Sequence, residues 1–149
     1  MEFRGDFRTA APREATWDFV MDPHRIAWCG PGVREVQVID DTHYRIAARV
    51  GIGAIAATFH VDAELIEVIE AKGATVRGRA QAPGTAVEGI ATMSLVDEDG
   101  GTRMDWNVTV QISGKLAAVG ERLIRGTAER LIGQTFTCIR SKLEGESSS

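Results

Sequence analysis

From residue 33 onward apolar and polar side chains alternate, and the alternation breaks at short charged or glycine-rich stretches. A period of two marks strands with one buried face. The breaks fall at Asp40 and Asp41, Gly51 to Gly53, Glu70 to Gly73, Pro83 and Gly84, and Asp97 to Gly101. Val33 to Ile112 therefore predicts six strands in a row, and Phe3 to Thr9, which also alternates, predicts one more before them. In between, Ala11 and Pro12 open a helix, with Pro12 at its first position, where a missing N–H costs nothing. Ala15, Phe19 and Val20 form its inward face, with Trp17 beside them. Asp22 and Pro23 stop or kink it, and Pro23 to Trp28 is read as a second short helix.

Beyond Ser113 the period changes. Leu116, Val119, Leu123, Ile124, Leu131, Ile132, Phe136, Ile139 and Leu143 recur at spacings of three and four. That is one apolar stripe on a long amphipathic helix. Gly114, Gly120, Gly126 and Gly133 weaken it by ~1 kcal/mol each relative to Ala at an interior position, so it needs a sheet to lie on. The predicted fold is α+β: a seven-stranded antiparallel sheet wrapped around a long C-terminal helix, with two short helices after the first strand. This is the helix-grip architecture. One domain spans residues 1–144, and Gly145 to Ser149 reads as a frayed polar tail.

Successive turns of an antiparallel meander fall at opposite ends of the sheet. The turns at 40–41, 70–73 and 97–101 share one end and are charged. Those at 51–53 and 83–84 share the other with Cys29 to Gly32 and Ser113 to Lys115, and that end is apolar or glycine-rich. There Ile52, Ile55, Leu116 and Val119 are expected to frame an opening or a membrane-docking surface.

Strand parity separates the two faces. Tyr44, Phe59, Val76, Met93, Trp106 and Val108 belong to an inward set without a single charge, and the outward set carries Arg45, Asp62, Glu64, Arg77, Arg79, Glu88 and Asp105. The inward set is also rich in Gly and Ala, crowded into Ala74 to Ala82 and Gly89 to Ala91. Such residues fill little volume, so either the helix packs close or a hollow remains. A ligand in that hollow has to be lipophilic, because an unpaired buried polar group costs ~1–3 kcal/mol. The expected contacts are Tyr44, Phe59, Gly89, Met93, Trp106, Val108, Leu123 and Ile124, with Gly89→Trp as the substitution that should block them.

Composition narrows the classes of function. The chain has 149 residues, 44% hydrophobic and 26% charged, with a net charge of -4 and a pI near 5.4. That balance gives no support for a nucleic-acid partner. No apolar run reaches the ~18 residues of a membrane span, the start lacks the apolar stretch of a signal peptide, and the cytoplasm is the default location. Cys29 and Cys138 read as two free thiols of a reducing compartment. His24, His43 and His60 lack metal-site spacing and read as solvated, so no metal is expected. Ser94, Ser113 and Cys29 have no sequence-near base, and no catalytic residue is assigned.

Several segments together resemble the carbon monoxide dehydrogenase CoxG family, within the START/Bet v 1-like (SRPBCC) superfamily. They are Ala11 to Glu14 with Trp17 to Phe19, Asp22-Pro23, Ile26-Ala27, Cys29 to Gly32, Val50 to Gly53, Ala82 to Gly84, Trp106, and Ile112 to Ala117 with Val119-Gly120. The resemblance implies an internal cavity and an accessory role beside molybdenum-containing CO dehydrogenases or similar membrane-linked oxidoreductases. It implies either recruitment of such an enzyme to the membrane or transport of a lipophilic quinone between the two. No covalently bound cofactor is implied. Some members carry a C-terminal extension that attaches them to the membrane; this chain stops at Ser149, so attachment through its own tail is not expected, and any membrane contact would be peripheral. Two other functions are compatible with the pattern. One is a module that positions a partner enzyme through the outer sheet face. The other is a cyclase or hydratase, which would need an ionisable group inside the hollow.

Overall fold

A computed structural model describes residues 1–147. Strand β1 (Glu2–Thr9) leads into α1 (Arg13–Val20), the four-residue α2 (Pro23–Ile26) and a 3-10 turn (Ala27–Cys29). Six strands follow: β2 (Val33–Val38), β3 (His43–Ile52), β4 (Ile55–Ile69), β5 (Gly73–Ala82), β6 (Thr85–Glu98) and β7 (Gly101–Gly114). A second 3-10 turn (Lys115–Val119) precedes α3 (Glu121–Ser147). The strands form one antiparallel sheet in the order β1-β7-β6-β5-β4-β3-β2. This is the helix-grip architecture.

Register carries the inward parity across the sheet. Phe3 faces Val108 and Phe7 faces Met104. Met93 sits between Trp106 and Ala74, and Val76 faces Ala91. Each pair shares a face, so the uncharged set forms one continuous inner surface.

The last helix starts later than the stripe from Leu116 predicts. Gly114 and Gly120 take φ of 84° and 105°, a region open to glycine and strained for other residues. They let the chain fold back off β7 and drop Leu116, 2% exposed, into the interior before α3 begins. Pro12 likewise stands just before α1 as its cap, with the Thr16 hydroxyl donating to the Pro12 carbonyl. At the other end of the chain, Gly145 to Ser147 continue α3 where fraying was expected, and residues 148–149 of that tail lie outside the described residues.

The two cysteines are not free. Cys29 and Cys138 form a disulfide across 109 residues of sequence, with Cα atoms 5.5 Å apart. The 3-10 turn after α2 lies against α3, and this contact brings the cysteines together; their distance along the chain says nothing about their distance in space.

The interior divides in two. Around Phe7, Trp17, Phe19, Cys29, Leu95, Met104, Ile139 and Leu143, helix α1 and the end of α3 close over β1, β6 and β7. Around Phe59, Leu116 and Ile124, the start of α3 closes over the turns at 53–54 and 83–84.

Candidate functional site

Beside the first cluster α3 leaves part of the inner sheet face uncovered, and a cavity of about 490 Å³ remains. Its floor is the inner face of β3 to β7: Tyr44, Ile46, Ala63, Leu65, Ala74, Val76, Ala91, Met93, Met104, Trp106 and Val108. Its roof is the middle of α3, with Leu131, Ile132, Thr135, Phe136 and Ile139, and its side is the corner from α1 into α2, with Met21, Pro23 and Ile26. The cause is local. Ala63, Ala74 and Ala91 lie on three adjacent strands of the floor, and their short side chains leave space below the helix.

Among the described residues no acidic or basic side chain lines this space. Two of the hydroxyls that do are engaged: that of Tyr44 donates to the Asp41 carbonyl at 2.8 Å, and that of Thr135 donates to the Leu131 carbonyl at 2.8 Å. Burial, aided by Asp41 and Asp40, raises the Tyr44 pKa, so the phenol stays neutral. Trp106 is the exception. Its indole packs on Phe136, 5.6 Å between ring centroids, and its Nε1 is buried without a hydrogen-bond partner among the described residues. The ring edge bearing Nε1 lies over Gly5, where an added Cβ would come 2.8 Å from Cζ2. The glycine is what gives the indole room.

The expected contacts divide. Tyr44, Met93, Trp106 and Val108 line the cavity. Phe59 and Ile124 do not: they pack with Leu116 in the second cluster. Leu123 is 47% exposed and covers Gly53 from outside. Gly89 lies at a groove on the outer face of the sheet, and its Cβ would sit 2.9 Å from Val110 Cγ1 and 3.0 Å from the Thr109 carbonyl. Gly89→Trp would therefore disturb the pairing of β6 with β7 instead of filling the cavity.

Ile52, Ile55, Leu116 and Val119, expected to frame an opening, pack around Phe59 and Ile124. Apolar loops at one end bury one another when the helix start folds onto them. The cavity lies in the other half of the sheet, toward the turns at 40–42 and 70–72. Sequence reasoning missed its α2 wall and its roof from Leu131 to Ile139. The roof was signalled, since those residues continue the stripe of Ile124; the wall was not, because a four-residue helix has no period to read.

On the outer face, charges pair between register neighbours: Arg45 with Asp62 at 3.1 Å, Arg79 with Glu88 at 2.6 Å, and His43 with Glu64 at 3.2 Å. Among the described residues no three His, Cys, Asp or Glu side chains gather as a metal site, and no helix is long and apolar enough to cross a membrane.

Solved structures share the fold. A conserved protein from Geobacillus kaustophilus superposes with a TM-score of 0.91 at 20% identity, covering 97% of this chain and 96% of its own. A START superfamily protein from Mycobacterium smegmatis does so with a TM-score of 0.72 at 12% identity, covering 97% of each chain. Ara h 8.0201 gives 0.67 at 14% identity, covering 97% of this chain and 98% of its own. No curated protein matches the chain. The model of the carbon monoxide dehydrogenase CoxG family matches residues 5–144, and the chain belongs to that family.

Proposed function

We propose that this protein is a non-enzymatic carrier that holds a lipophilic molecule, of quinone or isoprenoid type, between the sheet and α3. In this reading it serves a CO dehydrogenase-type oxidoreductase at the inner face of a membrane, touching the surface transiently. The observation that carries the reading is the uncharged cavity of about 490 Å³, inside the ~300–1,000 Å³ range of small-molecule sites. No ionised group has to be desolvated when an apolar molecule enters. A ligand that buried ~300 Å² of apolar surface would gain roughly 7 kcal/mol, at ~25 cal/mol per Å², before the costs of association. The Trp106 N–H, buried and without an acceptor among the described residues, favours a ligand that carries one, such as a carbonyl. The family name supports the partner. Binding fits better than a cyclase or hydratase reaction, since among the described residues the titratable group in the lining is the Tyr44 phenol, whose proton is held on the Asp41 carbonyl, and no carboxylate, imidazole or amine stands beside it to move a proton in a transition state.

Native mass spectrometry and solvent extraction of the purified protein should recover a lipid-like molecule. Ala91→Phe, which projects a ring into the cavity from mid-β6, should leave the circular dichroism spectrum unchanged and abolish that recovery. Equal recovery from the variant would place the ligand elsewhere.

A further inference from the structure

The disulfide and the cavity share a wall. Ile26 and Ala27 line the cavity, and one residue, the exposed Trp28, separates them from Cys29, which closes the 3-10 turn. On α3, Cys138 lies between Phe136 and Ile139, which line it from the other side. The bond therefore pins the α2 corner to the roof.

The helix at that corner is less deeply buried than its neighbour α1. Helix α1 is anchored by buried Thr16, Trp17 and Phe19, whereas α2 has no fully buried residue and packs on the core through half-buried Ile26. Its backbone bonds are local: Arg25 and Ile26 N–H donate to the Asp22 carbonyl, and Gly30 N–H donates to the Ala27 carbonyl. The His24 N–H is capped by the Asp22 carboxylate. The Arg25 guanidinium sits 4.6 Å over the Phe19 ring. Segments with few buried apolar groups open at low free-energy cost. Here such a segment forms one side of the candidate ligand site and is covalently tied at its far end.

We infer that α2 and the following 3-10 turn are the movable wall of the cavity, and that the Cys29–Cys138 bond is a latch on it, released by a protein or small-molecule dithiol. The inference rests on the binding reading above. A thiolate of the reductant attacks Cys138 Sγ, in the less buried of the two cysteines. The S–S bond breaks, and Cys29 leaves as a thiolate and takes up a proton. The second thiol of the reductant then resolves the mixed disulfide, freeing Cys138 as a thiol and leaving the reductant as a disulfide. Two electrons and two protons pass to the protein. Oxidised protein retains its ligand, and reduced protein exchanges it.

The test uses the full chain and the neutral fluorophore N-phenyl-1-naphthylamine. Its dissociation is followed by stopped flow from oxidised protein, from protein reduced by dithiothreitol, and from a Cys29→Ser/Cys138→Ser variant. Release should be at least about tenfold faster from the last two, as expected when a gating segment is freed. Hydrogen exchange of the reduced wild type should quicken at residues 22–30 and not across β4 to β7. Equal release rates with binding intact overturn the latch and leave the binding reading standing. No binding in either state overturns both. Global unfolding on reduction also overturns the latch, since the bond would then hold the fold rather than the wall.

Discussion

Asp40 accepts three donors at the turn between β2 and β3: the Thr42 N–H at 2.9 Å, the Thr42 hydroxyl at 3.2 Å and His43 Nδ1 at 2.9 Å. The Thr42 amide first, and His43 after it, lower its pKa to about 2. Asp40 in turn raises the pKa of His43 above 6.5. The lowered carboxylate supports the turn above its ordinary pKa of 3.8, and that support is lost as pH falls through about 2. The raised imidazole supports it fully below 6.5, and that support is lost as pH rises through the folded value. The turn is thus tightest between about pH 4 and 6.5. In an NMR titration His43 should titrate above 6.5, and Asp40→Asn should bring it back toward that value; a wild-type midpoint below it would contradict the arrangement. The neighbouring Tyr44 ties the same turn to the cavity by its bond to Asp41. Parity alone placed the Tyr44 ring inside. It could not rank Phe59 against Leu65, both inward on β4, because depth along a strand depends on where a helix crosses it, and that crossing is a tertiary fact.

Among the elements, α3 was the most legible in its stripe and the least legible at its start. Ile124, Thr127, Leu131, Thr135, Ile139 and Leu143 follow one another at the spacing of one helical face, and Arg140 and Glu144 fasten the far end to β1 and the residue after it, through the Arg8 carbonyl and the Ala10 N–H. Its beginning was hidden because Leu116 and Val119 fit the stripe while belonging to a turn set by two glycines. The glycines of this region are not equivalent. A Cβ at Gly126 or Gly133 meets nothing within 4 Å, and neither has positive φ. Gly126→Ala and Gly133→Ala should each stabilise the protein by about 0.5–1 kcal/mol in urea denaturation. Gly120→Ala, with equal space but φ of 105°, should destabilise it. A gain at Gly120 or a loss at Gly126 would show that backbone conformation is not the deciding term. The disulfide was illegible for a different reason: periodicity reports which face a residue takes, and it is silent on which residues of facing elements meet.

At the scale of the whole molecule, the sheet separates chemistry by face. Exposed ion pairs such as Arg79–Glu88 contribute only about 0.2–1 kcal/mol each, so they set register and solubility more than stability. The fold was readable because seven alternating stretches and one helical stretch admit few arrangements. Sequence also showed that the inner face was uncharged and small. It did not show which half of that face the helix would leave uncovered, since that depended on Leu116 filling one end and on α2 walling the other.

The gap between helix and sheet also makes the molecule softer under compression than a fully packed one. Unfolding lets solvent occupy the vacant space, so the system volume falls by an amount that scales with the void, typically about 20–100 mL/mol in all. Raised hydrostatic pressure should therefore unfold the unloaded protein more readily than the Ala91→Phe variant or the ligand-filled form, as followed by tryptophan fluorescence in a pressure cell. Equal midpoint pressures would mean that water already fills the interior, and the molecule would then be a wet container rather than a dry one.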